Sequence, residues 1–329
     1  MISPLAIALG DPAGIGPEIV AKAWARRFDA GLPPFFAVGN RASLELVWDG
    51  PVVSIDGPMQ AQEAFDDALP LVEIPDTDAV IPGSPDLGGA RCALDSLEAA
   101  VGLARSGVAS ALVTAPVSKA QLYAIGFSHP GQTEFVAERC GVAYERTAMM
   151  LAGRTLRTVP VTLHMALADA LRELSTDLIV KRAQTVARGL QRDFGIAAPR
   201  LAVAGLNPHA GEGGALGREE IDIIQPAIDQ LRAEGIDVVG PMPPDSMFHA
   251  RARADYDAAI CMYHDQALIP LKALYFDEGV NMTLGLPIVR TAPDHGTAFG
   301  IAGKRIARPD AMIAAIRMAA QCATRRLGG

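Results

Sequence analysis

The chain has 329 residues, of which 50% are hydrophobic and 20% charged, a composition typical of a globular enzyme with one large or two smaller α/β domains. The formal net charge of -8 argues against a general nucleic-acid or anionic-membrane surface, although a local cluster of lysine and arginine would still bind an anionic substrate. The 4 cysteines lack CxxC spacing, and no apolar run approaches the ~20 residues of a membrane span. We therefore expect a cytoplasmic protein.

Short apolar runs alternate with amphipathic stretches along the chain, which predicts repeated βα units and a mainly parallel sheet. The predicted strands, in chain order, are Leu5–Leu9, Phe35–Val38, Ala111–Thr114, Val159–Leu163, Leu201–Ala204, Asp237–Val239 and Ala258–Met262. The first run leads directly into a glycine turn, so it is interpreted as a strand and not as a signal peptide.

Five amphipathic stretches are predicted to be helices: Pro17–Arg27, Ala90–Arg105, Leu178–Gln191, Glu219–Ala233 and Asp310–Arg325. Three stretches rich in glycine or proline are predicted to be long loops: Pro75–Gly89, Asn207–Gly217 and Gly240–Met247. Long loops in compact enzymes often carry functional residues.

Three of the 6 histidines share one context, because His164, His209 and His264 each closely follow a predicted buried strand. Open α/β sheets assemble their sites at the carboxyl ends of strands, and imidazole is the commonest metal ligand. Three ligands with open positions are typical of a catalytic metal centre. The pattern predicts a shared metal site, while the simpler explanation is three hydrogen-bonded polar residues at strand ends.

A glycine turn with the sequence GDPAGIGPE, Gly10–Glu18, joins the first predicted strand to the first predicted helix. Glycines let a backbone approach a ligand closely, and a helix N-terminus favours anions. The turn lacks the GxGxxG dinucleotide fingerprint. From its spacing alone, a tight connection that binds no ligand explains it at least as well.

Cationic and polar side chains accompany other predicted loops, namely Lys119, Lys272, Asn281 and Arg290. A phosphorylated carboxylate substrate needs such groups, with arginine as a bidentate fork and lysine as a point charge. Ordinary surface charge is the alternative. Lys272 closes the apolar run Ala267–Leu271, where an unpaired buried charge would be costly.

Two aspartates are candidates for orienting ligands or handling protons. Asp265 directly follows His264 and is placed to support it as a metal ligand. Asp245 follows Pro243 and Pro244, so its alternative role is to shape a turn.

Five motifs together resemble one family, the 4-hydroxythreonine-4-phosphate dehydrogenases of vitamin B6 biosynthesis. They occur in the family's order and span about residues 4 to 304. The motifs are Gly10–Glu18, Thr114–Lys119, Asn207–His209, Tyr263–Gln266 and Pro293–Ala298. The first and last are also similar to the GDGIGPE and HGSAPDIAGK stretches of isocitrate and isopropylmalate dehydrogenases.

The resemblance implies a two-domain α/β subunit with mainly parallel sheets flanked by helices, like isopropylmalate dehydrogenase, with its active site in the cleft between the domains. The first domain is expected to comprise residues 1–125 and 275–329, including a cofactor-binding stretch. The second is expected to comprise residues 126–274, with the metal ligands and dimer contacts. A homodimer whose sites use both subunits is also implied.

The resemblance also assigns residues. The positions matching the family's ligands for one divalent ion per subunit (zinc, magnesium or cobalt) are His164, His209 and His264. Those matching substrate contacts are Gln132, Thr133, Lys272, Asn281 and Arg290. The wall for the adenine end of NAD or NADP matches His295, Gly296, Thr297 and Ala298. The candidates for catalytic proton handling are Lys272, Asp245 and Asp265.

Two positions depart from the family's pattern. Gln132 replaces a histidine of the family's Gly-His-Thr-Glu stretch, and glutamine cannot ionise near pH 7. Gly300 stands where the family often has an aspartate, and a carboxylate there would repel the 2′-phosphate of NADP. We therefore expect NADP to be accepted at least as well as NAD, with Arg305 as its positive partner.

The implied activity is the metal-dependent, NAD(P)-linked oxidation of 4-hydroxythreonine 4-phosphate at its C3 hydroxyl, followed by decarboxylation to 3-amino-2-oxopropyl phosphate. Gln132 keeps other substrates of the same family open, namely 4-phosphothreonate, 4-phosphoerythronate or a terephthalate-type cis-dihydrodiol. A non-catalytic, two-lobed anion-binding protein is the alternative of another class, although it would need neither metal-type histidines nor an adenine wall.

Overall fold

The computed structural model describes residues 2–75 and 80–328. They form two compact units: the first holds the residues up to Gly141 together with Leu286–Gly328, and the second holds Val142–Gly285. Among the helices of the described residues, none has the length and apolar character needed to cross a membrane.

The twelve strands of the described residues are β1 (Leu5–Ala8), β2 (Phe35–Gly39), β3 (Val52–Ser54), β4 (Leu69–Glu73), β5 (Leu112–Thr114), β6 (Ala148–Ala152), β7 (Arg157–Pro160), β8 (Arg200–Ala204), β9 (Asp237–Met242), β10 (Ala258–Cys261), β11 (Val280–Leu284) and β12 (Arg290–Pro293). The helices are α1 (Gly16–Ala25), α2 (Arg41–Glu45), α3 (Pro58–Ala64), α4 (Leu87–Arg105), α5 (Lys119–Ala124), α6 (Gln132–Arg139), α7 (Leu167–Glu173), α8 (Thr176–Phe194), α9 (Gln225–Ala233), α10 (Pro244–Met247), α11 (Ala250–Arg253), α12 (His264–Tyr275) and α13 (Asp310–Gly328).

The sheet of the first unit has the strand order β3-β4-β2-β1-β5-β12, and the registered pairs are parallel. β1 is buried at all four residues, as expected of a central parallel strand covered on both faces. Helix α4 contacts β1, β2 and β5. Its Ser96 hydroxyl accepts from the Leu9 amide and donates to the Val38 carbonyl, so a buried polar side chain joins the ends of two strands.

The sheet of the second unit has the order β11-β6-β7-β10-β8-β9. The pairs β11–β6 and β6–β7 are antiparallel, whereas β7–β10, β10–β8 and β8–β9 are parallel. Helix α8 packs against β6, β8 and β11. Its ends follow from the sequence, because the Ser175 hydroxyl accepts from the Leu178 amide at the start and Gly195 takes a left-handed conformation at the end.

The α/β class and the seven predicted strands and five predicted helices are confirmed, with ends shifted by a few residues. The unit boundaries differ from the predicted ones after residues 125 and 274. α6 stays with the first unit, where the Arg139 guanidinium contacts the Glu98 carboxylate of α4 at 2.8 Å. β11 stays with the second unit because it pairs with β6 along its whole length.

Two of the three predicted loops contain regular structure. In Pro75–Gly89, residues 76–79 lie outside the described residues, and α4 begins at Leu87. In Gly240–Met247, β9 continues to Met242 and α10 occupies Pro244–Met247. The Asn207–Gly217 stretch instead forms tight turns over Pro208–Gly214.

Candidate active site

The three candidate metal ligands follow three neighbouring parallel strands of the second unit. His164 comes after β7, His264 after β10 and His209 after β8, with β10 in the middle. Parallel strands end at the same edge of a sheet, so the fold brings all three residues to the edge where α/β proteins form their sites.

His164 and His264 lie side by side, with their ring centroids 5.5 Å apart and their planes inclined by 48°. Both line a pocket of about 380 Å³ whose other walls include Thr162, Tyr263 and the start of α7. Two imidazoles bound tetrahedrally to one ion through nitrogens at about 2.0–2.1 Å would have ring centres roughly 5 Å apart. The observed separation therefore suits two ligands of one ion.

Asp265 orients the second of these rings. Its carboxylate oxygen lies 2.7 Å from Nδ1 of His264. A carboxylate that holds one ring nitrogen fixes the tautomer and leaves the other nitrogen to face a metal, an arrangement common in metal sites. This contact supports the sequence-based expectation that Asp265 assists His264.

His209 is the third predicted ligand. Within residues 2–75 and 80–328 of one chain, no three histidine, cysteine, aspartate or glutamate side chains are grouped so as to hold a metal ion. The position of His209 next to the other two histidines therefore stays a prediction.

Strained backbone coincides with the candidate residues. His164, His209 and Ala298 all have positive φ angles, of 36°, 53° and 46°. Non-glycine residues rarely adopt this region, and where they do the surrounding structure must hold them there, most often at functional sites.

A second polar cluster, centred on Arg290, lies in the first unit. The buried guanidinium donates to the hydroxyl of Thr114 at 2.7 Å, and more weakly to the Gln132 amide oxygen at 3.4 Å and the Thr133 hydroxyl at 3.5 Å. Burial lowers the pKa of Arg290 to about 10, with the Glu134 carboxylate acting in the opposite direction. The side chain therefore remains charged at neutral pH and can bind an anion.

The N-terminus of α6 adjoins this cluster. Its capping residue, Gly131, gives no side-chain hydrogen bond to the first amides of the helix, and Gln132 and Thr133 open the helix. A helix N-terminus is electrostatically positive. Together with Arg290, it offers positive charge to a phosphate or carboxylate, partly offset by the Glu134 carboxylate in the first turn of α6.

Both polar atoms of the Gln132 side chain form hydrogen bonds with other residues of the protein. Its nitrogen donates to the Ala115 carbonyl at 3.3 Å while its oxygen accepts from Arg290. Both hydrogen bonds are long. Gln132 donates in one and accepts in the other, so its side chain links the Thr114–Lys119 motif to Arg290. Sequence reasoning identified Gln132, Arg290 and the motif that begins at Thr114 separately, and it missed the contacts that join them.

The remaining substrate and catalytic candidates belong to the second unit. Lys272 is on α12, two turns after His264, with its ammonium 6.0 Å from the centre of the Phe276 ring. Asn281 is on β11, and its buried side-chain oxygen accepts no hydrogen bond from the residues that the structure describes. Asp245 is exposed in the first turn of the short helix α10.

The glycine turn and the predicted cofactor stretch are in contact. The Ile15 amide donates to the Thr297 carbonyl at 3.0 Å. Cβ atoms added to Gly10 and Gly16 would lie 2.3 Å from the Pro116 carbonyl oxygen and 2.1 Å from the Leu9 carbonyl oxygen. These two glycines are therefore required by close backbone packing, which favours the structural explanation of the turn.

His295 and Gly296 are exposed next to this contact, and the His295 ring lies 3.1 Å from the Gly296 carbonyl. Glu18, the last residue of the glycine motif, accepts from the Ala307 amide at 2.8 Å. It also binds Lys22, whose ammonium in turn reaches the carbonyls of Arg305 and Ala307. The motif thus fixes the chain segment after the cofactor stretch.

Comparisons with known proteins show the family of the chain. The chain matches the family described as "Pyridoxal phosphate biosynthetic protein PdxA" over residues 34–319. The chain belongs to the PdxA family. A relative named 4-hydroxythreonine-4-phosphate dehydrogenase, from Zymomonas mobilis, is 57% identical over 325 residues, covering 99% of this chain and 97% of the relative.

Two solved structures are similar to this chain. A 4-hydroxythreonine-4-phosphate dehydrogenase from Klebsiella pneumoniae is 36% identical with a TM-score of 0.87, covering 98% of this chain and 99% of that chain. A terephthalate 1,2-cis-dihydrodiol dehydrogenase from Burkholderia xenovorans is 31% identical with a TM-score of 0.66, covering 98% of both chains. The fold therefore accommodates relatives named for phosphorylated and unphosphorylated substrates.

Arg305 has a different environment from the one expected. Its guanidinium forms a two-point ion pair with the carboxylate of Asp49, an exposed residue far away in sequence. This pair raises the pKa of Arg305 and lowers that of Asp49. The arginine that was expected to meet the 2′-phosphate of NADP is thus occupied by an anion of the protein itself.

Proposed function

We propose that this PdxA-family chain is a metal-dependent NAD(P)-linked dehydrogenase that oxidises the C3 hydroxyl of 4-hydroxythreonine 4-phosphate and releases CO2 to give 3-amino-2-oxopropyl phosphate. The identity of 57% with a relative named for this substrate, over nearly the whole chain, supports the proposal. The observation that carries it is the His164–His264 pair, whose 5.5 Å separation suits two ligands of one ion.

The cluster around Arg290 supplies the contact for an anionic group of the substrate. Its charge is already desolvated, and Thr133 and the first amides of α6 lie beside it. A buried, pre-oriented guanidinium binds phosphate or carboxylate more strongly than a surface lysine does.

Asn281 supports recognition of a donor group on the substrate. Its buried side-chain oxygen has no partner among the described residues, and leaving a buried acceptor unsatisfied is costly. The amino group or a hydroxyl of the substrate would satisfy it. Lys272 would counter a second negative charge of the substrate.

His164, His209 and His264 would hold a divalent ion (zinc, magnesium or cobalt). Such an ion polarises the substrate hydroxyl and so lets a weak base remove its proton. Residues His295, Gly296, Thr297 and Ala298 would form the wall beside the adenine end of NAD or NADP, which would supply the hydride acceptor when bound.

The chain's own residues orient ligands and move protons. Asp265 is bonded to His264, so its role is to orient that ligand. Lys272 remains the candidate for transferring a proton to or from the substrate, because Asp245 is exposed on a separate short helix. Overall, the C3–H hydride would pass to the cofactor and the hydroxyl proton to a base. Breaking the C–C bond to the carboxylate would then release CO2, and the electron pair left on C2 would take up a proton.

We also propose that the active unit is a homodimer. Helix α7, directly after the histidine pocket, exposes its apolar side chains: Leu167 is 57% exposed and Leu171 49%, and Met165 before the helix is 45% exposed. An apolar helix face of this kind in contact with water is typical of a protein interface. A second copy of the chain would cover it next to the metal ligands.

The 31% identity to the terephthalate diol enzyme favours one rival substrate class, a cis-dihydrodiol. The test is to follow NAD(P) reduction with 4-hydroxythreonine 4-phosphate, 4-phosphothreonate, 4-phosphoerythronate and the terephthalate cis-dihydrodiol. We expect the highest kcat/KM with the first. A diol preferred by more than tenfold would replace the proposed substrate, and no reduction with any of them would favour a binding protein.

A further inference from the structure

An unusual backbone segment begins at His209, shortly after β8 ends. Five consecutive residues, 209–213, have positive φ angles between 44° and 79°. Three of them, His209, Ala210 and Glu212, are not glycine. Left-handed turns of L-residues are unfavourable, so contacts from elsewhere must keep this loop in place.

Glu220 provides these contacts. Its side chain is buried, and one carboxylate oxygen accepts from the amides of Leu206 at 2.8 Å and Asn207 at 2.7 Å. The other oxygen accepts from the Asn207 side-chain amide at 2.9 Å. A single carboxylate therefore binds three donors of the two residues that precede Pro208 and His209.

The loop lies directly on this carboxylate. A Cβ atom added to Gly211 would lie 2.6 Å from one Glu220 oxygen, and one added to Gly205 would lie 3.2 Å from the other. The carboxylate thus contacts the loop on both sides of His209.

The local helix geometry places the acid there. Glu220–Ile224 forms a single π-helical turn at the start of α9, and the Thr176 hydroxyl donates to the Ile223 carbonyl in this turn. Such turns insert a residue into a helix and occur frequently at functional sites.

Gln266 ties the same loop to the second ligand. Its side-chain nitrogen donates to the Gly205 carbonyl at 2.8 Å, and its oxygen accepts from the Met262 amide at 2.6 Å. Met262 and Gln266 lie on either side of His264. The loop that leads to His209 is therefore joined through one buried amide to the turn that carries His264.

We propose that Glu220 is a positioning residue for the metal centre: it holds the left-handed loop so that His209 is presented as a ligand, and Gln266 sets the loop against the His264 turn. This inference rests on the proposed metal site. Hydrogen bonds that fix the surroundings of a ligand typically change metal affinity by about 10- to 100-fold when removed.

The test compares the full-length enzyme with Glu220→Ala, Glu220→Gln and Asp222→Asn. Asp222 is the matched control, because it is an exposed acid of the same turn whose carboxylate binds Arg218 at 2.8 Å. Zinc affinity is measured by competition with a chelator, and loop order by amide hydrogen exchange at Leu206 and Asn207.

For Glu220→Ala we expect zinc affinity to fall by about 10- to 100-fold. The two amides should exchange faster, while KM for NAD(P) stays unchanged. Asp222→Asn should match wild type. If the alanine variant does not fold, Glu220→Gln decides, because its NH2 group would face the Asn207 side-chain donor and should still weaken zinc binding. Wild-type zinc affinity in a folded Glu220 variant would overturn the proposal.

A failure of the metal site itself is recognised separately. His209→Ala in an otherwise unchanged chain should lose zinc affinity at least as strongly as Glu220→Ala. Unchanged affinity in His209→Ala would remove His209 as a ligand, and with it the premise on which the role of Glu220 rests. If zinc affinity falls in His209→Ala but not in the Glu220 variants, only the positioning role of Glu220 is overturned.

Discussion

Arg290→Met tests separately how the buried charge of Arg290 affects the stability of the fold and how it affects substrate binding. Burial lowers the pKa of Arg290 well below its ordinary value, to about 10, which corresponds to about 3 kcal/mol against the charged form in the folded protein. The folded pKa lies below the unfolded one, so this cost is fully present below about pH 10 and is relieved as the pH rises from there toward the ordinary pKa of arginine.

The loss of hydrogen bonds opposes this gain. Arg290 donates to Thr114, Gln132 and Thr133, and each bond contributes about 1 kcal/mol or less, since two of them are long. We therefore expect chemical denaturation of Arg290→Met to give a free energy of unfolding equal to that of wild type, or higher by about 1 kcal/mol.

Activity should respond in the opposite sense. A hydrogen bond between ionised groups contributes about 1.5–3 kcal/mol, so losing the anion contact should lower kcat/KM by roughly 10- to 150-fold. The assay is NAD(P) reduction at varied concentrations of the phosphorylated substrate.

Arg182→Met is the matched control. Arg182 is also a buried arginine, but it donates to the carbonyls of Thr147 and Tyr144 within the second unit. Its loss removes the donor to the buried Thr147 carbonyl, so it should destabilise the fold by about 1–3 kcal/mol while kcat/KM is kept. If Arg290→Met instead destabilises like Arg182→Met and keeps full kcat/KM, Arg290 is a structural residue and the reasoning is refuted.

Three further changes test neighbouring claims. Gln132→His should keep kcat/KM within about tenfold of wild type at pH 8. Its kcat/KM should fall as the imidazole protonates near its usual pKa of about 6.5, because an imidazolium repels Arg290. A kcat/KM that does not change with pH would contradict this expectation. Leu171→Asp should give an inactive monomer in sedimentation, and an active monomer would remove the dimer from the proposal. Asp49→Ala should raise the ratio of kcat/KM with NADP to kcat/KM with NAD several-fold, because it releases Arg305. The double variant Asp49→Ala, Arg305→Ala should not show this rise. The same ratio in both variants would show that this ion pair does not select the cofactor.

The sequence indicated the features that depend on local pattern. Buried runs such as β1, and the positions of His164 and His264 just after strands, follow from short-range periodicity and from the rule that α/β sites form at strand ends. β7 and β10 are neighbouring strands, so the two histidines follow adjacent strands of one sheet.

Long-range contacts were not predictable in this way. Arg305 and Asp49 are 256 residues apart, and Arg290 and Thr114 are 176 residues apart, so no local pattern links them. Glu220 lies at the start of the predicted helix Glu219–Ala233, where no local pattern distinguishes it from its neighbours. Its role depends on a π-helical turn that periodicity of 3.6 residues does not anticipate.

The most direct test of the proposed activity is the stoichiometry of the reaction with 4-hydroxythreonine 4-phosphate, measured with and without a chelator. We predict one CO2 for each NAD(P)H formed, loss of both products on chelation and recovery of both when a divalent ion is added back. Reduction of NAD(P) at full rate in metal-free enzyme, or reduction without any CO2, would contradict the proposal.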